Sequence, residues 1–317
     1  MATKTIRTRL KKLLKINEYD PQKPYLLIPG MVSRSERKNL FNQSRQLTGK
    51  GHALEFGAFF GASTSAILHG MKASGSHREF HVFDYFKTND NWFADITRRL
   101  AGPYQHLLTV DADGWLDFSK VYEHFINDSI VHTHKILISD LVWKKEPVEL
   151  IHLDLPKDWS QARKIASETF PYLIRDAKLI FQDFVNQWSY ELSAMIGFLL
   201  REDLIRLQGS FGSTLSTSVT QDFAPEVVQA LSQEMSDKAK VLANFDHAFQ
   251  ASRAFLNPEE QIILRVGRSV LLSESDHKEG LRELSKVMNH MNATDGRGGK
   301  AFQNALEFGM QSKKSIS

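Results

Sequence analysis

The chain has 317 residues, of which 42% are hydrophobic and 24% are charged, with 40 Lys and Arg against 37 Asp and Glu. This length suits one large α/β domain with an appendage or two modest domains, and a formal net charge of +3 is too small to indicate a specific nucleic-acid partner. The absence of cysteine excludes disulfides, thiolate zinc sites and cysteine nucleophiles, and it favours a cytoplasmic location.

Residues 1–27 are predicted to form a basic helix and a linker. From Met1 to Lys15 apolar residues alternate with Lys and Arg, which predicts an amphipathic helix. Such a helix packs its leucines on the domain or, alternatively, touches a membrane or an acidic partner. No stretch of the chain reaches the roughly 20 apolar residues of a membrane-spanning helix, so no transmembrane segment is predicted.

Residues 28–222 alternate short apolar runs with longer helical stretches, a pattern typical of parallel strands joined by crossover helices. The predicted strands are Ala53–Phe56, Phe80–Phe83, Lys135–Ile138, Val148–Leu153 and Lys178–Phe181. The predicted helices are Ser33–Thr48, Ser63–Ala73, Trp92–Leu100, Phe118–Ile126, Ser160–Leu173 and Tyr190–Arg201. Leu204–Leu215 and Thr217–Thr220 predict a closing antiparallel hairpin. The expected fold is therefore α/β, a doubly wound and mostly parallel Rossmann-like sheet that binds ligands at the carboxyl ends of its strands.

Residues 223–317 read as a helical C-terminal region. The predicted helices are Val227–Met235, Ser236–Ala251, Pro258–Ser273 and Lys278–Asn292. Proline followed by two glutamates at Pro258 favours a helix start, since proline fits the first turn and acids face the positive end of the helix dipole. The region suits a small bundle and offers a surface for a homo-oligomer.

A glycine loop follows the first predicted strand. The strand ends in Glu55-x-Gly57-x-x-x-Gly61, and a helix begins near Ser63. The G-x-G-x-x-G motif of dinucleotide enzymes and the G-x-x-x-x-G-K-[ST] motif of P-loops are both absent. A tight strand-to-helix turn explains two spaced glycines equally well on its own. The acid before the loop and Asp84 at the tip of the next strand favour an adenosyl ligand, because a carboxylate there can accept hydrogen bonds from ribose hydroxyls.

The run Glu55-Phe-Gly57-Ala-Phe-Phe-Gly61-Ala-Ser63-Thr64 resembles the first motif of class I S-adenosylmethionine-dependent methyltransferases, nearest to small-molecule O-methyltransferases of the catechol and macrolide-sugar types. The resemblance covers about residues 28–220 and implies S-adenosylmethionine as cofactor and a small-molecule or sugar acceptor. It places Glu55, Gly57 and Gly61 at the methionine end of the cofactor, Ser63 near its carboxylate, Asp84 at the ribose, and Ser139 or Asp140 at the adenine.

A second cluster follows the fourth and fifth strands. Asp154 and Asp183 stand at the tips of neighbouring strands, where two carboxylates can share a hard divalent cation. This resembles the magnesium site of the catechol-type enzymes and implies Asp154, Asp183 and Gln182 as ligands of Mg²⁺, with Lys157 as the base that takes the acceptor's proton. The family usually has two oxygen ligands side by side on the fifth strand, whereas here Gln182 and Phe184 flank Asp183. A metal-bound site, a metal-free site, and a binding or scaffold protein without turnover all remain open.

Other aromatic and histidine residues admit plainer interpretations. His152 lies in the middle of a strand and is predicted to be a core residue. Trp143, Trp159, Trp188 and Tyr190 either wall an acceptor pocket or pack under the C-terminal helices. The remaining histidines, which include His132, His134, His247 and His290, show no spacing typical of metal ligands.

Overall fold

A computed structural model describes residues 24–155, 158–289 and 299–305. The predicted basic N-terminal helix and the candidate base Lys157 lie outside the described residues. None of the helices within the described ranges has both the length and the apolar character that a bilayer crossing requires.

The main sheet has seven strands in the order β6-β2-β1-β7-β8-β10-β9. Its strands are β1 (His52–Phe56), β2 (Phe80–Asp84), β6 (Val131–Lys135), β7 (Val148–Leu153), β8 (Leu173–Phe181), β9 (Ile205–Phe211) and β10 (Thr214–Val219). The first five pair in parallel, and β10 is antiparallel to both β8 and β9. Counted along the chain, the seven strands lie in the order 3-2-1-4-5-7-6. The predicted doubly wound, mostly parallel sheet with a closing hairpin is confirmed, and the order reverses between β1 and β7.

The central strands are short apolar runs because both of their faces are covered. All five residues of β1 and all six of β7 are buried. Side chains alternate between faces along a strand, so Leu54 and Phe56 enter one hydrophobic cluster while Ala53 enters the other. Two helical layers therefore enclose the sheet.

Ten helices are described in addition to a helical stretch at 299–305. They are α1 (Arg34–Ser44), α2 (Ala62–Ser74), α3 (Asn91–Ala101), α4 (Ser119–Phe125), α5 (Trp159–Thr169), α6 (Tyr190–Arg201), α7 (Pro225–Glu234), α8 (Lys238–Ser252), α9 (Pro258–Ser273) and α10 (His277–Asn289). Short 3₁₀ turns occupy Pro24–Leu26, Gly102–Leu107, Ile138–Asp140, Phe170–Tyr172 and Arg253–Phe255. The predicted start of α9 is confirmed, and Asn257 with Glu260 forms a capping box there.

An insertion between β2 and β6 carries a second, three-stranded sheet. Its strands β3 (Lys87–Thr88), β4 (Thr109–Val110) and β5 (Leu116–Asp117) pair antiparallel in the order β3-β5-β4. The insertion packs on the glycine loop, where the rings of Phe93 in α3 and Phe118 just before α4 contact the ring of Phe59.

The predicted position of the third parallel strand is wrong. The strand is Val131–Lys135, whereas part of the apolar run expected at Lys135–Ile138 forms a 3₁₀ turn. β6 is the edge of the sheet, so its residues are exposed or half-buried, and it needs no apolar run. The pattern typical of a buried strand is therefore carried by the apolar run at the end of β6 and after it, rather than by the strand itself.

The C-terminal helices share the core of the sheet. Leu231 of α7, Phe245 of α8 and Leu264 of α9 belong to the same hydrophobic cluster as Phe181 of β8. The domain boundary at residue 222 stays a prediction, and the packing across it is continuous.

Candidate functional site

The glycine loop forms the carboxyl end of β1. Gly57 and Gly61 have φ angles of +94° and +89°, in the left-handed region that favours glycine. A Cβ on Gly57 would lie 3.0 Å from the backbone nitrogen of Leu155, so this glycine lets the loop approach the segment after β7. The sequence prediction of a tight turn that ends β1 is confirmed.

Asp84, at the tip of β2, holds this loop in place. One carboxylate oxygen accepts hydrogen bonds from the amide nitrogens of Ala58 (2.8 Å) and Phe59 (3.0 Å), and the other accepts from Phe86 (2.7 Å). Burial raises the pKa of Asp84, against the lowering effect of the three amides. In this arrangement the predicted ribose acceptor organises the loop.

Glu55 lies beneath the loop rather than on its surface. Its side chain is fully buried, accepts a hydrogen bond from the hydroxyl of Thr64 (2.5 Å), and lies 3.1 Å from Nδ1 of His152. The predicted core position of His152 is confirmed, since this residue is also fully buried. Burial lowers the pKa of His152, but the Glu55 carboxylate outweighs it and the net shift is upward. Glu55 thus joins β1, β7 and the first turn of α2.

The far end of the loop is closed. Ser63 is buried, and a Cβ on Gly61 would lie 2.6 Å from Cγ1 of Ile126 and 3.2 Å from Cδ2 of Tyr122. Both contacts come from α4 and the residue after it. Of the predicted methionine-end residues, Gly61 therefore packs against the insertion, and Ser63 is buried.

An open cleft lies beside the loop at the carboxyl edge. Its volume is about 450 Å³, within the range of roughly 300–1,000 Å³ usual for small-molecule sites. Its walls come from Tyr85 after β2, the segment after β6, Leu155 after β7 and the first turns of α5. The lining residues are Tyr85, Ile136, Leu137, Ile138, Ser139, Leu155, Ser160, Gln161 and Lys164.

The two adenine candidates differ in position. Ser139 lines the cleft, and its contact with adenine stays a prediction. Asp140 is exposed and accepts a hydrogen bond from the Ser139 hydroxyl (3.1 Å). Of the two, Ser139 is the residue placed to meet a ligand.

The two strand-tip aspartates lie next to each other in the fold. Leu153 pairs with Phe181 in the β7–β8 register, and the amide of Gln182 donates to the carbonyl of Leu153 (2.8 Å). Asp154 and Asp183 follow directly from these positions, and both are half-buried. The predicted juxtaposition of these residues at one edge is therefore present.

Gln182 does not fit the predicted role of a metal ligand. Its amide oxygen accepts the hydroxyl of Thr214 (2.6 Å), and its amide nitrogen donates to Glu36 (3.1 Å) and to Ser213 (2.9 Å). With both ends engaged in a buried network, the donor set that remains is Asp154 and Asp183. We therefore assign no chemical step to a magnesium ion.

Two further site features were not foreseen from the sequence. Tyr85 and Leu137 wall the cleft, but an aromatic or aliphatic residue after a strand carries no signal of its own.

Among the four aromatics considered for an acceptor wall, Trp143 is buried against His52 and His81, at the other end of β1 and β2. Trp143 is therefore a packed residue, and its ring contacts are with these β1 and β2 histidines.

The strand order 3-2-1-4-5-7-6, the glycine loop after β1 and the acid after β2 together confirm the predicted doubly wound, Rossmann-like methyltransferase fold. No protein-family model and no curated protein matches the chain.

Among solved structures, the chain is similar to the O-methyltransferase NovP, with 13% identity over 61% of this chain and 82% of that one and a TM-score of 0.44. It is also similar to CalS11, a TDP-rhamnose 3′-O-methyltransferase, with 16% identity over 67% and 91% of the two chains and a TM-score of 0.40. A third is the S-adenosylhomocysteine-bound Podospora anserina methyltransferase PaMTH1, with 14% identity over 67% and 87% and a TM-score of 0.39. All three similarities are distant.

Proposed function

We propose that the chain binds S-adenosylmethionine and transfers its methyl group to an oxygen of a small molecule or sugar. The observation that carries this proposal is the 450 Å³ cleft beside the Gly57 loop, at the edge where the strand order reverses. Ligands of doubly wound sheets bind at this crevice.

The adenosine half of the cofactor suits the open cleft. Tyr85, Leu137 and Ile138 offer apolar surface for the base, and Ser139 offers a hydroxyl for a hydrogen bond. The methionine half would lie toward Gly57, where the absence of a side chain lets a ligand approach the backbone. Glu55 and Asp84 would act through the loop they hold.

The chemistry requires alignment above all. Bound S-adenosylmethionine would supply an electrophilic methyl group for in-line displacement by the acceptor oxygen, with S-adenosylhomocysteine as the leaving group, so the task of the chain's own residues is to hold the two reactants aligned. Asp154 directly precedes Leu155, which forms part of the cleft wall, and this position supports Asp154 as the carboxylate that would receive the hydroxyl proton of an acceptor. The role of Lys157 as base stays a prediction, as do the small-molecule or sugar acceptor, the homo-oligomer and the cytoplasmic location.

A binding or scaffold function without turnover is the second candidate. Two observations favour it: all three hydrogen bonds of Asp84 go to the protein backbone, and Gln182 is withdrawn from the edge. A protein of this kind would bind a partner through its surface and would not catalyse methyl transfer.

A calorimetric titration separates the two functions. We expect S-adenosylmethionine and S-adenosylhomocysteine each to bind the purified chain with a stoichiometry of one. Ser139→Trp should fill the cleft and weaken both affinities at least about tenfold, a loss of about 1.4 kcal/mol. Ser167→Trp is the control for the added tryptophan. Ser167 is an exposed residue of α5, the helix that borders the cleft, and this variant should bind as the wild type does.

The scaffold function predicts a different result. Neither ligand should then produce heat or raise the melting temperature of the wild-type chain. Binding that is equal in the wild type and in Ser139→Trp would instead show that the ligand occupies another part of the molecule.

A further inference from the structure

A cluster of histidine and glutamate side chains lies at the amino edge of the sheet, opposite the cleft. His52 is the first residue of β1, His81 is the second residue of β2, and Glu79 comes just before β2. One ligand atom from each of these three residues lies within 4.8 Å of the other two. The parallel pairing of β1 and β2 therefore brings together residues that are 27 and 29 positions apart along the chain.

The ring of His52 has one nitrogen without a hydrogen-bond partner among the described residues. Its Nε2 lies 2.6 Å from a carboxylate oxygen of Glu146, so Nε2 carries the proton and donates it. Nδ1 is left with its lone pair, is buried, and has no hydrogen-bond partner among the described residues. It lies 3.6 Å from Oε2 of Glu79, so a nitrogen lone pair and a carboxylate oxygen face each other at a distance that a shared metal ion would bridge.

His81 presents a second ring to the same oxygen. Its Nε2 lies 3.1 Å from Oε2 of Glu79, while its Nδ1 lies 3.0 Å from Nε2 of His134. Each inward-facing ring is thus fixed from behind, His52 by Glu146 and His81 by His134. Outer partners of this kind set the tautomer and orientation of histidines that bind metals.

The spacing fits a tetrahedral metal ion. Zinc bonds of about 2.0–2.1 Å to nitrogen and oxygen place neighbouring ligand atoms about 3.3 Å apart. The two separations from Glu79, 3.1 and 3.6 Å, lie on either side of that value. Nε2 of His132 lies 3.6 Å from the other oxygen of Glu79 and borders the cluster.

We propose that Nδ1 of His52, Nε2 of His81 and the carboxylate of Glu79 bind a divalent transition-metal ion, for which Zn²⁺ is the best fit. Imidazole nitrogens favour zinc over the hard ions magnesium and calcium. With three protein ligands the fourth position is left to water. The ion would join the first two strands at the amino edge, far from the proposed cofactor cleft.

Lys144 is the natural competitor for the site. Its ammonium lies 2.6 Å from Oε2 of Glu79 and 2.8 Å from Oε2 of Glu146. The side chain is 39% exposed, so it can swing into solvent when a divalent ion takes its place. Removal of this charge should therefore strengthen metal binding.

The test is a zinc titration of the chain with any affinity tag removed and bound metal stripped by a chelator. We expect one Zn²⁺ per chain, with Lys144→Met binding more tightly than the wild type. Glu79→Gln should bind at least about tenfold more weakly, since it loses the central charged ligand. The Glu79 side chain is 42% exposed, so the substitution should leave the fold intact, and circular dichroism checks this. Glu123→Gln, a change at another surface glutamate that is paired with a lysine, is the matched control.

Tryptophan fluorescence provides a second readout. The Trp143 ring centroid lies 5.9 Å from that of His52 and 5.1 Å from that of His81, so a bound Co²⁺ ion should quench Trp143 emission. Trp143→Phe should lose the quenched component. The proposal is overturned if neither the wild type nor Lys144→Met binds zinc more tightly than Glu79→Gln does.

Discussion

Gly61 and Asp84 show how single residues shape the loop after β1. Asp84 accepts three backbone hydrogen bonds, so a single carboxylate defines where the loop lies relative to β2. Gly61 meets two demands at once, because its φ of +89° is strained for other residues and its Cα is covered by Ile126 and Tyr122. Gly75, at the end of α2, also has a left-handed backbone but is not covered, because no atom of the described residues beyond its chain neighbours lies within 4 Å of the place where its Cβ would be.

This difference can be measured with two alanine variants. Gly75→Ala should lower the free energy of unfolding by roughly 1–2 kcal/mol, the cost of a left-handed residue with a side chain. Gly61→Ala should cost about 1–3 kcal/mol more, because its Cβ also overpacks against Ile126. Urea denaturation of both variants checks the order. Equal losses would mean that α4 yields to the added methyl group.

At the scale of elements, α1 is attached to the sheet through Glu36. One oxygen of its carboxylate accepts hydrogen bonds from the amide (2.8 Å) and hydroxyl (2.7 Å) of Ser213, in the β9–β10 turn, and from Gln182 (3.1 Å) after β8. The other oxygen closes the capping box with Ser33. Burial raises the pKa of Glu36, but hydrogen bonds from Ser33 and Ser213 outweigh it and the net shift is downward.

The stability of the chain should therefore depend on the ionisation of Glu36. The folded-state pKa of Glu36 lies below its ordinary value of 4.5, so the ionised carboxylate stabilises the fold in full at pH values above 4.5. This contribution is lost as the pH falls through the folded-state pKa. Glu36→Gln should lose about 2 kcal/mol at pH 7 and show a smaller further loss between pH 6 and pH 3 than the wild type.

Denaturant unfolding measured at several pH values tests this expectation. Glu226→Gln, an exposed change in the first turn of α7, is the control and should follow the wild type across the range. A Glu36→Gln variant with the full acid loss of the wild type would show that other carboxylates are responsible.

At the scale of the whole molecule, the sheet and the C-terminal helices form one hydrophobic core. α6 lies between the sheet and α8, and a Cβ on Gly197 of α6 would lie only 1.8 Å from the carbonyl oxygen of Asn244 in α8. Backbones this close leave no room for solvent. Phe245 and Ala248 of α8 complete the same buried cluster.

Truncation tests this unity. A chain that ends after Asp222 should show no cooperative thermal transition, because removal of α7–α10 exposes the apolar face of α6 to water. The full-length chain should melt in a single transition followed by circular dichroism. A truncated chain that melts cooperatively would support residues 28–222 as an independent domain.

The sequence alone determined the strands and helices whose signals are local. β1, β2 and β7 were predicted to within a residue or so, because strands buried on both faces must be short apolar runs, and α9 was predicted from Pro258 and its acids. The edge strand β6 was misplaced for the same reason, since an exposed strand carries no such run. The neighbourhood of Asp154 and Asp183 also followed from the sequence, because strand tips of a parallel sheet share one edge. Ser139 was implied, together with Asp140, only by the family resemblance, and the strand before it ends four residues earlier, at Lys135.

Only the tertiary structure decided which polar side chains already have hydrogen-bond partners within the protein. Asp84 and Gln182 carry groups that could bind a ligand, but Asp84 accepts a hydrogen bond from the amide of Phe86 and Gln182 accepts one from the hydroxyl of Thr214. Thr214 is far from Gln182 along the chain, and the sequence around Phe86 gives no sign of its contact with Asp84. The cluster of His52, Glu79 and His81 likewise arises from the pairing of β1 with β2 and shows no spacing along the chain. Hydrogen bonding and metal coordination depend on distances of a few ångströms between residues, and those distances are set by packing rather than by sequence order.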